Sequence, residues 1–196
     1  MLKERIEKHL KEQGNNIYIE EKEYAEKHQL ISEADAFEVK DPDTRFTEAY
    51  IERGDKETEE VLGSETADFL NEPIDYFKRH INEFMYLESE WFEIIGADAI
   101  SFEVDDLFRT YDVMLGLKLP KKKEAAIRSY MERTLQGDSP TFDLMFNQQD
   151  GLWDLNFALD NIQGFREDLT IGNAYLLIYR YLFHLVETVE AEIKSI

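Results

Sequence analysis

Two stretches in the middle of the chain alternate hydrophobic and polar residues, which is the pattern of a strand with one buried face. They cover residues 99–104 and 110–119, and residues 105–109 separate them. Because the connection is short, we predict an antiparallel hairpin. Its buried face is expected to carry Ile100, Phe102, Val104, Tyr111, Val113, Leu115, Leu117 and Leu119.

A second pair of alternating stretches covers residues 141–146 and 152–159. Asp150-Gly151 stands between them, and Asp-Gly between alternating apolar runs indicates a hairpin. The buried face of this second hairpin is expected to carry Phe142, Leu144, Phe146, Trp153, Leu155, Phe157 and Leu159.

Between the hairpins the period changes to that of an α-helix. Residues 121–136 are predicted to be helical and to end at Gly137, with Pro140 just beyond. The apolar stripe of this helix is Ile127, Tyr130, Met131 and Leu135. A long helix follows at about residues 171–193, with Thr170 or Asp168 as its N-cap. The predicted fold is therefore α+β: an antiparallel ββαββ sheet, with one further strand as an option and with helices on one face.

The C-terminal helix is apolar nearly all round. Leu176, Tyr179 and Phe183 lie outside the stripe that one sheet face requires. A helix of this kind is buried on several sides. Either the N-terminal helices cover its back, or a second copy does so in a homodimer formed through this helix.

Residues 64–95 have a less regular pattern. The spacing of apolar residues predicts a short helix at 64–70 and a longer one at 74–87. Residues 88–95 fit either an extension of that helix or an extra strand. We favour a strand at 91–95, where large apolar residues follow one another before Gly96.

Residues 1–62 differ from the rest of the chain in composition. They hold 28 charged residues but only five of the 25 aromatic residues. A segment of this kind buries little apolar surface by itself. We therefore predict a charged helical N-terminal appendage on a core domain formed by residues 63–196. The helices of this appendage, residues 1–62, are expected at 1–13, 20–30 and 55–62.

The net charge of −21 at pH 7 restricts the partners of the chain. Contacts with nucleic acid phosphates depend on Lys and Arg, so binding to nucleic acid is not expected, and anionic membranes are disfavoured in the same way. The chain has no cysteine, which excludes disulfides and thiolate chemistry. The charged N-terminus lacks the apolar core of a secretory signal, and no uncharged run approaches the length of a membrane span. We predict a cytoplasmic location.

Familiar catalytic motifs do not occur. Neither the P-loop nor the dinucleotide-binding glycine pattern is present, nor are Gly-x-Ser-x-Gly and His-Glu-x-x-His. His80 with Glu83, and His184 with Glu187, place an imidazole and a carboxylate one helical turn apart. With 43 acidic residues in the chain, such pairs are expected by chance. We therefore predict no catalytic residue, no metal site and no cofactor.

The outward residues of the two hairpins are the strongest candidates for a contact surface. They combine carboxylates with adaptable methionines, which suits a basic, partly apolar polypeptide. The predicted partner-binding residues are Asp112, Met114, Asp143, Met145, Asp154 and Asn156. Asp105, Asp106, Arg180 and His184 are candidates for contact with a ligand or ion. Solvation of the sheet carboxylates and a structural salt bridge of Arg180 are the alternatives.

Helices on one face of an antiparallel ββαββ sheet in an acidic chain resemble the architecture of type III secretion chaperones. These are small acidic dimers that bind polypeptides, although the long N-terminal region here departs from that pattern. We predict a non-enzymatic protein that binds another protein. Two alternatives remain: a small enzyme or ligand-binding protein with a carboxylate-lined pocket between sheet and N-terminal segment, and an acidic mimic that blocks a nucleic-acid-binding partner.

Overall fold

The computed structural model describes residues 1–12, 14–32, 35–137 and 142–191. Its strands are β1 (Asn16–Ile17), β2 (Glu38–Val39), β3 (Tyr50–Asp55), β4 (Val61–Glu65), β5 (Glu83–Glu88), β6 (Ala97–Val104), β7 (Tyr111–Leu117), β8 (Phe142–Asn147) and β9 (Leu152–Ala158). Its α-helices are α1 (Leu2–Glu12), α2 (Ile19–Lys27), α3 (Tyr76–Arg79), α4 (Glu90–Ile95), α5 (Glu124–Thr134) and α6 (Ile171–Ala191). Short 3-10 helices lie at Pro42–Thr44, Ala67–Asn71, Lys121–Lys123 and Leu159–Asn161.

Seven strands form one antiparallel sheet in the order β4-β3-β5-β6-β7-β9-β8, and the fold is α+β. The two predicted hairpins are its β6–β7 and β8–β9 pairs, and β9 pairs with β7. In β6 and β7, buried residues alternate with partly exposed ones, as the sequence pattern predicted. Pro140, predicted just beyond the helix, and residue 141, predicted as the first residue of the second hairpin, lie outside the described residues.

The long C-terminal helix α6 packs against the covered face of the sheet. Thr170 caps its start, since Thr170 Oγ1 accepts the Asn173 amide at 3.1 Å. The hydroxyl of Tyr175, fully buried, donates to Ile100 O at 3.2 Å and fixes the helix against β6. The predicted extension of this helix to residue 193 lies outside the described part of the chain.

The sheet is larger than predicted, because β3, β4 and β5 were assigned as helix or as loop. The apolar residues at 83–88 fit the pattern of a helix as well as that of a strand. In the structure Met85 and Leu87 are buried, while Phe84 and Tyr86 point to the other face of the sheet. Pairing with β3 and β6 decides between the two patterns. The helices predicted at 55–62 and 74–87 are therefore wrong over most of their length.

The strand favoured at residues 91–95 is also wrong, because these residues belong to α4. Ser89 Oγ accepts the Trp91 amide at 3.4 Å as an N-cap, and Gly96 ends the helix in the left-handed region at φ 82°. Both signals were present in the sequence. The apolar run resembled a buried strand because this short helix buries Trp91, Phe92, Ile94 and Ile95.

The N-terminal segment packs closely on the rest of the chain. Leu2 and Ile6 of α1 are fully buried, and Tyr24 of α2 meets Phe183 of α6 edge to face. The boundary predicted between residues 62 and 63 falls inside β4, and β3 lies between β4 and β5. Part of the segment predicted as an appendage therefore belongs to the sheet.

The apolar surface that suggested a homodimer through the C-terminal helix is covered within one chain. Leu176, Tyr179 and Phe183 are buried. Tyr179 also donates its hydroxyl to Glu21 of α2. These residues thus leave no apolar surface for a second copy.

Candidate functional site

One face of the seven-stranded sheet carries the helices, and the opposite face is open. On β7, Tyr111, Val113 and Leu115 are buried toward the helices, whereas Asp112 and Met114 are only partly buried. We call the face opposite the helices the open sheet face. One row of paired residues crosses it through six strands: Glu52, Tyr86, Ser101, Met114, Asn156 and Asp143.

The six residues predicted to bind a partner all lie on the open sheet face. Asn156 is paired with both Met114 and Asp143, and Asp154 is paired with Met145. Asp112 lies one step further along β7, between Glu103 of β6 and Ala158 of β9. The alternation of β7, β8 and β9 was sufficient to bring these side chains together.

Sequence reasoning missed the half of this face that β3 and β5 provide. Phe84 lies over Gly54, because a Cβ at Gly54 would stand 2.3 Å from the Phe84 ring. Tyr86 donates its hydroxyl to Glu88 on the same strand. The open sheet face therefore combines partly exposed aromatic and thioether groups, and the exposed Met145, with carboxylates. Its carboxylates are Glu52, Glu88, Glu103, Asp112, Asp143 and Asp154.

Two shallow depressions mark the open sheet face. The first, of about 440 Å³, lies beside the β6–β7 loop and is bordered by Phe108, Asp112 and Asp143. The second, of about 430 Å³, lies over the centre of the sheet, where Ala99, Ser101 and Gly116 leave room. Asn156 borders both depressions, so they follow one another along β7 and β9.

Two carboxylates on this face hold their protons more tightly than usual. Partial burial, assisted by the neighbouring Asp105, raises the pKa of Asp112. Partial burial also raises the pKa of Glu103, although Lys56 opposes the rise. A nearby cation therefore stabilises the charged form of both carboxylates, because it compensates for the hydration that this form loses on burial.

The four candidates for contact with a ligand or ion have structural partners. Asp105 Oδ1 accepts the amides of Leu107 and Phe108 and so closes the β6–β7 loop. Asp106 pairs with Lys56 at 2.9 Å. Arg180 Nε donates to Glu20 at 2.6 Å, the salt bridge that the sequence analysis offered as an alternative.

His184 shares a carboxylate with a second histidine that the sequence analysis did not connect to it. Its Nδ1 lies 3.8 Å from Glu187, and Nε2 of His28, the residue after α2, lies 3.7 Å from the same side chain. Lys27 bonds to Glu187 at 2.7 Å. Across the described ranges, no group of three or more His, Asp and Glu side chains is arranged to hold a metal ion.

A buried ionic cluster joins the N-terminal segment to α6. The Arg45 side chain is fully buried, and its guanidinium lies 4.1 Å from the ring centres of both Tyr18 and Tyr179. It donates to Glu21 at 2.7 Å and also to Glu20. No local pattern in the sequence indicates this cluster, because its members are distant along the chain.

A further cleft, of about 310 Å³, lies between α1, α4 and the ends of β6 and β7. Its charged lining mixes both signs: Arg5, Lys8, His9, Glu12, Glu90, Glu93, Asp98 and Lys118. His9 Nε2 is buried without a hydrogen-bond partner among the described residues, and burial lowers the pKa of this imidazole.

Comparison of the chain with protein-family models, with curated proteins and with solved structures gives no match. The architectural resemblance to secretion chaperones therefore gains no support from a related structure, and the sheet here has seven strands. In the described part of the chain, no helix combines the length and the apolarity needed to cross a membrane.

Proposed function

We propose that this chain is a non-enzymatic cytoplasmic protein that binds a basic, extended segment of another protein on its open sheet face. The observation that carries the proposal is the makeup of that face, where Tyr86, Met114 and Met145 lie among carboxylates. Tyr86 is paired with Glu52, and Met145 is paired with Asp154. Charged groups of one sign select a partner of the opposite sign, and thioethers adapt to varied apolar side chains.

The geometry favours an extended partner. The two depressions follow β7 and β9, and β7 has seven residues. At ~3.3 Å per residue, a partner lying along β7 spans roughly 23 Å. Basic side chains of such a segment reach Asp112 at one end and Asp154 towards the other, because both belong to the outward set.

The test uses a defined probe, a fluorescein-labelled peptide of seven residues in which arginine alternates with valine. Its affinity is measured by fluorescence anisotropy for the wild type and for a variant that combines Asp112→Lys, Asp143→Lys and Asp154→Lys. The matched control combines Glu23→Lys, Glu72→Lys and Glu132→Lys. These three glutamates are exposed, lie away from the open sheet face and give the same change in net charge.

Each exposed charge contact contributes ~0.2–1 kcal/mol, so three contacts are expected to weaken binding by about 3-fold to 150-fold. The control variant is expected to lose less than ~3-fold, because distant charges are screened over ~8 Å at physiological salt. Equal losses in the two variants would mean that the peptide responds to net charge alone, and the open sheet face would not be the site.

The cleft between α1 and α4 supports a second candidate function, the binding of a small zwitterionic molecule. It offers cations and carboxylates around His9 Nε2, which has no hydrogen-bond partner in the described part of the chain. The test is an NMR titration with lysine and with glutamate as free amino acids, in which shifts confined to His9, Gly96 and Lys118 are expected. Unchanged resonances at millimolar concentrations would exclude this candidate.

A further inference from the structure

The two edges of the sheet differ in how their backbone groups are protected. At the β8 edge, Arg128 Nη2 of α5 donates to Leu144 O at 2.9 Å, so a cationic side chain covers the middle of the strand. At the β4 edge, no described residue bonds to the outward backbone groups of Val61–Glu65. Free N–H and C=O groups along a strand are a template for pairing with another strand.

The side chains at the β4 edge also favour association. Val61 is 58% exposed and Leu62 is 49% exposed, which is unusual for two consecutive large apolar residues. The turn before the strand carries the exposed carboxylates Glu57, Glu59 and Glu60. An added strand therefore meets apolar side chains beside a region of negative charge.

The charges decide which kind of strand fits. If β4 paired antiparallel with β4 of a second copy about Gly63, the acidic turn of each copy would approach Glu65 and Asp68 of the other. Like charges that face each other across a strand pair are destabilising, and the net charge of −21 adds to the repulsion. A segment with basic residues around an apolar pair has the complementary pattern.

We propose that β4 accepts an extended, basic and apolar segment of another protein as an eighth strand of the sheet. Backbone hydrogen bonds to β4 hold the segment, and the carboxylates of residues 57–60 select its charge. This site is separate from the open sheet face, because it uses the free edge of the backbone instead of outward side chains.

The experiment measures amide hydrogen exchange of the whole chain by NMR, with and without the seven-residue peptide of alternating arginine and valine. A second peptide has the same sequence but is N-methylated at every amide, which removes its backbone donors. With the unmethylated peptide at saturation, the outward amides of β4 are expected to exchange at least tenfold more slowly. The methylated peptide is expected to give no such protection.

The same measurement on the variant with Asp112→Lys, Asp143→Lys and Asp154→Lys separates this proposal from the proposed function. Protection of β4 retained in that variant supports strand addition even where binding to the open sheet face is lost. The proposal is overturned if β4 amides change by less than twofold while anisotropy shows bound peptide. It is also overturned if the methylated peptide protects β4 equally, or if neither peptide binds at millimolar concentration.

Discussion

Replacement of Arg45 by methionine is expected to destabilise the chain strongly, because this side chain neutralises two buried carboxylates. Glu21 is fully buried and Glu20 is 7% exposed, and both accept hydrogen bonds from Arg45. Arg45→Met leaves Glu21 with the Tyr179 hydroxyl and Glu20 with Arg180. Neither remaining contact replaces the charge of the guanidinium between the two carboxylates.

The magnitude follows from two contributions. Removal of one partner from a buried ion pair costs ~3–5 kcal/mol, and the contacts left on both carboxylates favour the lower end. The variant also loses the contacts of the guanidinium with two tyrosine rings, which adds ~1 kcal/mol to the destabilisation. We expect a loss of ~4 kcal/mol in the free energy of unfolding, a large share of the ~5–15 kcal/mol typical of a folded protein.

The assay is equilibrium unfolding in urea at 25 °C and pH 7. With an m-value of ~2 kcal/mol per molar urea, the midpoint is expected to fall by ~2 M. The matched control is Arg180→Met, which removes a cation that is 45% exposed and leaves Glu20 bonded to Arg45. Its expected cost is at most ~1 kcal/mol.

A loss below ~1 kcal/mol for Arg45→Met, or equal losses for the two variants, would refute this reasoning. Combined Arg45→Met, Glu20→Leu and Glu21→Met should recover much of the loss, because replacement of a whole buried ionic set by apolar residues is close to neutral. The Arg45→Met variant could also unfold in two steps, with residues 1–47 losing protection from hydrogen exchange first. That result would support the predicted appendage in a smaller form.

Three further outcomes are expected. Glu103→Gln should raise the free energy of unfolding at pH 7 by ~0.5 kcal/mol. Because the pKa of Glu103 is raised in the folded state, the wild type loses stability as pH rises above the unfolded-state pKa near 4. The gain in the variant should therefore vanish near pH 3 in urea titrations. Asp55→Asn should act in the opposite sense, since a hydrogen bond from the Thr58 amide lowers the Asp55 pKa, and its destabilisation should fade as pH falls below the ordinary range of Asp. Gly54→Ala should cost ~1–3 kcal/mol because the new methyl meets the Phe84 ring, and a double-mutant cycle with Phe84→Ala should show coupling; additive losses would contradict that contact.

The sequence was sufficient to predict those elements whose hydrophobic pattern fits only one type of secondary structure. The alternation of β6, β7, β8 and β9 and the N-cap of α6 indicated those elements, and six residues of the open sheet face followed from the alternation of β7, β8 and β9. Residues 83–88 fit both a helix and a strand, and only pairing with distant strands resolves such a segment. The missing half of the open sheet face followed from that ambiguity.

Long-range side-chain contacts lay beyond sequence reasoning for a different reason. The bonds of Arg45 to Glu20 and Glu21, and of Tyr179 to Glu21, join residues far apart in the chain, and no local period encodes them. The high charge of residues 1–62 predicted a weakly attached segment. Pairing and burial of these particular charges instead allow it to pack on α6.

The most direct test of the central claim is a map of the contact surface by NMR. The isotope-labelled chain is titrated with the peptide of alternating arginine and valine, and amide shifts are followed for every assigned residue. If the open sheet face is the site, the largest shifts occur at Asp112, Met114, Gly116, Asp154 and Asn156, which border the two depressions along β7 and β9. If the largest shifts instead fall on exposed positions of α5 and α6, with these five residues unchanged, the account is contradicted.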